Sequence, residues 1–352
     1  MSQTLDTASL QREPGVVPST RTAFVRFLGR PETGALAGAI AVYLFFYALA
    51  PAFRDASSFA SVLYVSSTFG IPAVAVALLM IGGEFDLSAG VAVIAAALAA
   101  SMFSYQLNTN MWVGVLVSFG IAMAIGFING YLVVKTGIPS FLVTLGTFFM
   151  IQGLNLAVTK LITGNVATSD VSNMQGFHSA HEVFASTITV GGVALKVTLF
   201  WWIGFVLVGT WILRRTRVGN WIFAVGGSAT SARAVGVPVK QVKVGLFMAV
   251  SFLTWFTGMH LLFNYNTIQS GNGIGNEFVY IISAVVGSCL LTGGYGSVVG
   301  AAIGALIFGM TNQGIVYAGW NPDWFKFFLG AILLAAILLN NWIRGRSEEA
   351  NQ

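Results

Sequence analysis

The chain has 352 residues, 56% of them apolar and only 8% charged, with a mean hydropathy of +0.80. A water-soluble domain carries about 25% charged residues, so this composition excludes a surface hydrated on all sides, and the excess apolar surface must face lipid. The net charge of +5 is accounted for by topology, which leaves nucleic acid without a place among the partners.

Residues 1–33 read as a flexible cytoplasmic tail. A crossing helix needs about 20 mostly apolar residues. Ten stretches are read as spans: 34–53, 58–80, 87–107, 111–134, 141–160, 197–213, 243–264, 278–292, 297–317 and 324–343. The eighth is short and is parted from the ninth only by Gly293-Gly294-Tyr295-Gly296. These two are therefore either full crossings or a re-entrant pair, and both choices keep the number of crossings even. The apolar runs are continuous, as in 91–100 and 331–339, whereas barrel strands alternate over about 10 residues. The expected fold is all-α, a polytopic transmembrane bundle over 34–343 with a short cytoplasmic tail at 344–352. Ala48-Leu49-Ala50 has the form of a signal-peptide cleavage site, but a long polar stretch precedes it and Pro51 would follow the cut. An uncleaved first span is expected.

Basic residues stay on the cytoplasmic side in short loops. With the N-terminus inside, only Arg54, Lys160, Lys196 and Lys326 fall outside, and the other 13 of the 17 basic residues fall inside. Both termini are therefore expected in the cytoplasm. Two loops are long enough for structure of their own. The outer one, 161–196, holds Asp170, His178, His181 and Glu182; the inner one, 214–242, is strongly basic. Weak internal echoes suggest a duplicated bundle. Gly82-Gly83 precedes Ser88 as Gly293-Gly294 precedes Ser297, and Asn129-Gly130 resembles Asn312-Gln313-Gly314.

Absences narrow the chemistry. A phosphate-binding loop needs glycine directly before its lysine, and in Gly130-Tyr-Leu-Val-Val-Lys135-Thr136 that place is held by Val134. The single cysteine, Cys289, permits neither a disulfide nor a cysteine-based metal site. His178, His181 and Glu182 sit on a polar outer loop without a further ligand and read as a solvated face. His260 reads as a packed or pore-lining residue. No nucleophile, base and orienting group can be argued from spacing, so no enzymatic activity is expected. Ionisable groups within lipid cost about 2.5–3.5 kcal/mol or more and mark function where they occur. Yet no Asp or Glu is placed at the centre of a span, Glu277 being expected just ahead of the eighth. Ion coupling is therefore poorly supported.

The segment Gly82-Gly83-Glu84-Phe85-Asp86-Leu87-Ser88 interrupts two apolar runs. Asp86 or Ser88 is suited to accept the free N–H groups at the start of the third helix, where negative charge also suits the helix dipole. The same break would serve as a gate if it faced a pathway. The polar side chains inside spans are the other pathway candidates: Asn129, Thr144, Thr147, Gln152, Asn155, Asn264, Asn312 and Gln313. Amides and hydroxyls with aromatic faces nearby, such as Phe148 or Trp255, suit a neutral, hydroxyl-rich solute. The same residue types also join helices in lipid.

Four stretches, in order over residues 81–314, together resemble the permeases of sugar ABC importers of the ribose/xylose type, in the superfamily of branched-chain amino acid and ribose permeases. Gly83-Glu84-Phe85-Asp86-Leu87-Ser88 is similar to the G-x-x-D-L-S signature. Asn129-Gly130-Tyr131-Leu132-Val133 with Ile138-Pro139-Ser140-Phe141-Leu142-Val143-Thr144-Leu145-Gly146-Thr147 is similar to N-G-x-L-V…I-P-x-F-I-V-T-L-G-T. Gly226-Gly227…Ala232-Arg233…Gly236-Val237 resembles the coupling loop, and Ala284-Val285-Val286-Gly287…Leu291-Thr292-Gly293-Gly294-Tyr295-Gly296-Ser297 resembles A-V-V-x-G…L-x-G-G-x-G-[ST].

The resemblance implies a non-catalytic permease of the bacterial inner membrane, paired with a second copy. A cytoplasmic ABC ATPase would use ATP and Mg, and a periplasmic sugar-binding protein would deliver a monosaccharide or related polyol. It implies an ATPase-docking loop carrying Gly226, Gly227, Ser228, Ala232, Arg233, Gly236 and Pro238. The gate or pathway candidates are Glu84, Phe85, Asp86, Ser88, Asn129, Thr144, Gln152, Asn155 and Asn312. No cofactor or metal is expected on this chain. Two departures stand out: Ser228-Ala229-Thr230-Ser231-Ala232 replaces the usual N-E-x-A, and Ser288 and Cys289 replace residues that are commonly Gly and small. The rival reading is an ATP-independent carrier or channel for a small neutral solute.

Overall fold

The structure, a computed structural model, describes residues 31–349. The expected 1–30 part of the N-terminal tail, with Arg12, Arg21, Arg26 and Arg30, and residues 350–352 lie outside the described residues. In chain order the elements are α1 (Pro31–Leu49), a 3-10 turn (Pro51–Arg54), α2 (Ala56–Ile81), α3 (Ala89–Gln106), α4 (Met111–Thr136) and α5 (Ser140–Thr163). Then follow α6 (Phe177–Phe184), the hairpin β1 (Thr187–Val190) and β2 (Val193–Lys196), α7 (Val197–Arg215), α8 (Arg217–Gly227) and α9 (Ala229–Ala234). The chain ends with α10 (Val239–Tyr265), α11 (Asn276–Val286), α12 (Val298–Tyr317) and α13 (Trp324–Glu349). Apart from the hairpin and one isolated bridge, Ala167 to Gln269, the described residues are helical or irregular. The protein is an all-α, multi-pass membrane bundle.

Among the described residues, eight helices are long and apolar enough to cross a membrane. α2, α3, α10 and α12 form the centre, with Ile71 to Ile81 of α2 buried without interruption. α1, α4, α5 and α7 wrap them and turn large side chains such as Leu116, Met150, Leu161 and Leu207 outward. Such a face is stable only against lipid or another apolar surface. Small residues let backbones approach where no hydrophobic force joins helices. A methyl added at Gly304 of α12 would strike the Ser283 carbonyl of α11, and one at Gly309 would strike the Ser66 hydroxyl of α2.

The structure corrects several boundaries. The first span stops at Leu49, because Ala50-Pro51 turns into the 3-10 segment. The eighth, read as 278–292, is helical only over Asn276–Val286, and residues 287–297 are irregular. A helix this short is about 16 Å long, roughly half the hydrocarbon thickness. It stops because Gly287 lies on the Gly300 backbone of α12, where a Cβ would collide. Residues 344–349, expected as tail, continue α13. Of the expected outer loop, 161–163 belong to α5.

Glu32 at the start of α1 pairs with Arg214 at the end of α7 and accepts from Ser297 Oγ ahead of α12 (2.8 Å). The end of α2 reaches the same level, because Ile81 O accepts from Gly294 N (2.8 Å). These termini therefore share one end of the bundle with α8 and α9. The opposite end is closed by α6. Phe184 packs among Trp112, Trp255, Phe256 and Phe263, and its carbonyl lies 2.8 Å from His260 Nδ1. His260 Nε2 lies 3.2 Å from the Tyr64 hydroxyl, so this histidine ties the outer helix to α10 and α2.

Candidate functional site

Between α2 and α3 the chain is non-helical over residues 82–88 while enclosed by the bundle, a state tolerated only when every polar group finds a partner or water. α5 supplies two of them. Ser140 Oγ accepts from Phe85 N (3.0 Å), and Thr144 Oγ1 accepts from Leu87 N (3.1 Å). Spaced i, i+4, these hydroxyls stand on one face of α5, and both are buried. Asp86 Oδ1 accepts from Ser88 N (2.8 Å) and Ser88 Oγ (2.6 Å). Ser88 Oγ also accepts from Asn129 Nδ2 of α4 (3.0 Å), and Asn129 Oδ1 is buried without a partner. Glu84, 8% exposed at its side chain, forms an ion pair with Lys243 of α10.

The break is thus tethered to α4, α5 and α10. Of its two expected helix caps, Asp86 takes one backbone N–H, while the Ser88 hydroxyl makes no cap bond to α3. Asn155 Nδ2 donates to Val91 O of α3 (3.1 Å), so it too is a tether within the bundle. Gln152 is half-buried on α5. Asn312, half-buried on α12, accepts from Gln313 Nε2 (3.1 Å). It stands about 21 Å along α12 from Val298, so the structure does not bring it to the break. Trp255 Nε1 is engaged by Ser118 Oγ (3.0 Å) and Val115 O (3.2 Å).

Glu277, expected outside the eighth span, is instead the second residue of α11, buried against Gly90 of α3. Both its oxygens accept from Gly275 N (3.1 Å each). Sequence reasoning missed this burial, and it missed Lys243 and Ser140. For Ser140 the i, i+4 hydroxyl spacing with Thr144 was an available signal; for the pairing of Lys243 with Glu84, far apart in the chain, none was.

The inner basic loop folds into two short helices. Thr216 Oγ1 caps α8 through Gly219 N (3.2 Å), and Ser228 Oγ caps α9 through Ser231 N (3.2 Å). The amphipathic α8 buries Gly219, Ile222 and Val225. In α9 Ala232 points inward, while Arg233 is exposed and the following Val235 is 80% exposed. Gly236 turns the chain with φ 85°, and half-buried Pro238 caps α10. A cavity of about 280 Å³ lies between α8, α7 and α10. Its walls include Leu78, Ile212, Trp221, Val242 and Leu246, with Gln241 the one hydrophilic side chain, so it offers too few partners for a polyhydroxylated solute.

At the outer end, His178 and Glu182 pair at 3.2 Å on the exposed face of α6. Asp170 Oδ1 accepts from Ser172 N (2.7 Å), and hydrogen bonding from the Ser172 hydroxyl first, and from this N–H second, holds the carboxyl below its usual range.

The profile of the family described as branched-chain amino acid transport system / permease component matches residues 58–337. The chain belongs to that family. It is a non-catalytic permease component of an ABC import system, whose ATPase and substrate-binding protein are separate polypeptides. A probable ABC transporter permease protein of Escherichia coli is 30% identical over 91% of this chain and 92% of its own. The galactose/methyl galactoside import permease protein of Haemophilus influenzae is 30% identical over 83% of this permease and 88% of its own length. The ribose import permease protein of Escherichia coli is 27% identical over the same shares. No solved structure matches this chain.

Proposed function

We propose that this permease forms the translocation pathway for a monosaccharide or a related polyol, in the bacterial inner membrane and paired with a second copy of itself. The observation that carries the reading is its likeness, over most of both chains, to permeases whose names specify galactose, ribose and fructose import. ATP and Mg belong to the partner ATPase, which docks on residues 226–238 with Arg233 at the exposed tip. The binding protein delivers the solute at the end closed by α6. Glu84, Phe85, Asp86 and Ser88 form the gate, held by Asn129, Thr144 and Asn155; Gln152 and Asn312 are candidates for lining the path.

The charge inventory supports a pathway driven from outside the chain. Glu84 is paired with Lys243, Asp86 accepts from Ser88 through Oδ1, and Glu277 is held by a backbone N–H. Proton relays in pumps and transporters run through ionisable side chains within the membrane, and these three carboxylates are already engaged. The test is uptake into proteoliposomes by the permease with its ATPase and binding protein. Uptake of a labelled pentose or hexose only with ATP and Mg is expected. Uptake by the permease alone would establish the ATP-independent carrier instead.

A further inference from the structure

Glycines from three segments far apart in sequence meet at the inner end of the bundle: Gly83 after α2, Gly226-Gly227 at the end of α8, and Gly293-Gly294 in the irregular stretch after α11. The contacts are backbone on backbone. Gly294 N donates to Ile81 O at 2.8 Å. A Cβ at Gly226 would collide with the Ile81 carbonyl and lie 2.6 Å from Gly294 N. One at Gly293 would lie 2.7 Å from Gly83 Cα and 2.9 Å from Gly226 O, and one at Gly294 would lie 2.9 Å from Gly227 Cα. The end of α8 is therefore wedged between the two places where the bundle's backbone is irregular.

We infer that Gly226 is a positioning residue for transport, through which displacement of α8 passes to both irregular segments at once. The inference rests on the reading of 226–238 as the ATPase-docking loop. Side chains absorb displacement by changing rotamer, whereas peptide groups in direct contact have no such freedom and transmit it as packed solids do. Each irregular segment leads into a helix of the bundle. Residues 82–88 run into α3 with Asp86 and Ser88 at its start, and 287–297 run into α12, whose start is capped by Ser297 through Gly300 N (3.4 Å). A push on Arg233 and α9 thus reaches α3 and α12 through one three-way contact. Gly226 is hemmed in by backbone from two other segments, whereas Gly245 of α10 is open, and a Cβ there meets no atom within 4 Å.

That contrast gives the experiment. Gly226→Ala and Gly245→Ala are made in the permease, which is co-purified with its ATPase and reconstituted with the binding protein. Gly226→Ala should assemble and hydrolyse ATP while uptake per ATP falls about tenfold, in the range of ordinary coupling energies; Gly245→Ala should behave as the parent. Arg233→Glu is run alongside. If it leaves ATPase co-purification and stimulation unchanged, the docking reading fails. If it uncouples while Gly226→Ala transports normally, the docking reading stands and the three-way contact is wrong.

Should Gly226→Ala fail to assemble, spin labels on Ser228→Cys and Leu291→Cys test the same claim; Cys289 is 2% exposed and escapes labelling. The 228–291 distance should be the same with and without ATP, while both positions shift relative to a label on Thr136→Cys. A 228–291 distance that changes with ATP, or no shift of either against 136, overturns the inference.

Discussion

The Glu84–Lys243 pair fastens the break to α10, and the two partners differ in their access to water. The Glu84 side chain is 8% exposed and that of Lys243 is 21% exposed. Lys243→Met leaves a carboxylate enclosed by the break without a counter-charge. Breaking a buried pair from one side costs about 3–5 kcal/mol, and the partly exposed site puts this case near the lower end, about 3 kcal/mol. Glu84→Gln strands an ammonium on a flexible stem that can turn toward water, so the loss is about 1 kcal/mol, near that of a surface pair. Removing both charges in Glu84→Gln/Lys243→Met leaves no uncompensated ion, and the double variant should be more stable than Lys243→Met alone.

The assay is thermal unfolding of the detergent-purified permease followed by a thiol-reactive dye. Cys289 is the chain's single cysteine and is buried, so it reports loss of the fold. The expected order of stability is parent, then Glu84→Gln and the double variant close together, then Lys243→Met last. Equal losses for the two single variants, or additive losses in the double, would refute the argument from unequal burial.

The α5 tethers give a second expectation. Thr144→Val keeps the shape but leaves Leu87 N–H without its acceptor, and should destabilise by about 1–3 kcal/mol while raising ATP hydrolysis in the absence of the binding protein, both measured on the purified complex. Gly304→Ala inserts a methyl against the Ser283 carbonyl and should cost about 1–3 kcal/mol or more. Gly245→Ala meets no atom within 4 Å and should be neutral or gain up to about 1 kcal/mol from helix propensity, read in the same unfolding assay. Proline locks the backbone at a negative φ and has no N–H to donate. Gly236 holds φ at 85° and donates to Arg233 O (3.1 Å), so Gly236→Pro cannot keep this turn. It should abolish stimulation of the ATPase while leaving membrane insertion intact, as should Arg233→Glu; persistence of both stimulation and uptake would dismiss the loop.

The spans were legible because hydropathy integrates over about twenty residues, and no other solvent accommodates that many apolar side chains. Residues 287–292 show where this fails. Gly-Ser-Cys-Leu-Leu-Thr is apolar enough to extend a span, but whether it is helical depends on what Gly287 touches, and that is Gly300 on another helix. The break at 82–88 could be read from its glycines and Asp86, since both features act locally. Its partners could not. Ser140, Thr144, Asn129 and Lys243 come from three helices; the i, i+4 hydroxyls mark a polar face of α5, but no local pattern says that the break is what this face meets, or which face of α10 meets it. The echo between Gly82-Gly83 and Gly293-Gly294 was visible as a repeat, and the structure gives it a different physical content: Gly83 and Gly293 touch each other.

The two ends of the bundle are built from different materials, and this bears on where motion enters. At the outer end, Phe184 is held by four aromatic rings and by His260, which itself reaches Tyr64. Large interlocking rings leave few alternative packings. At the inner end, helical backbone gives way at 82–88 and 287–297, and glycine backbones replace side chains at the contact with α8. Irregular backbone that carries its own hydrogen bonds can exchange one set for another at small cost, because Ser, Thr and Asn offer several acceptors within reach. On the proposed docking, a displacement entering through α8 and α9 therefore meets its softest elements first, at the proposed gate of Glu84 to Ser88, and is opposed at the far end by the aromatic cap. On that division, a change confined to the cap, such as His260→Phe, should alter the response to the loaded binding protein more than the ATPase activity of the complex without it.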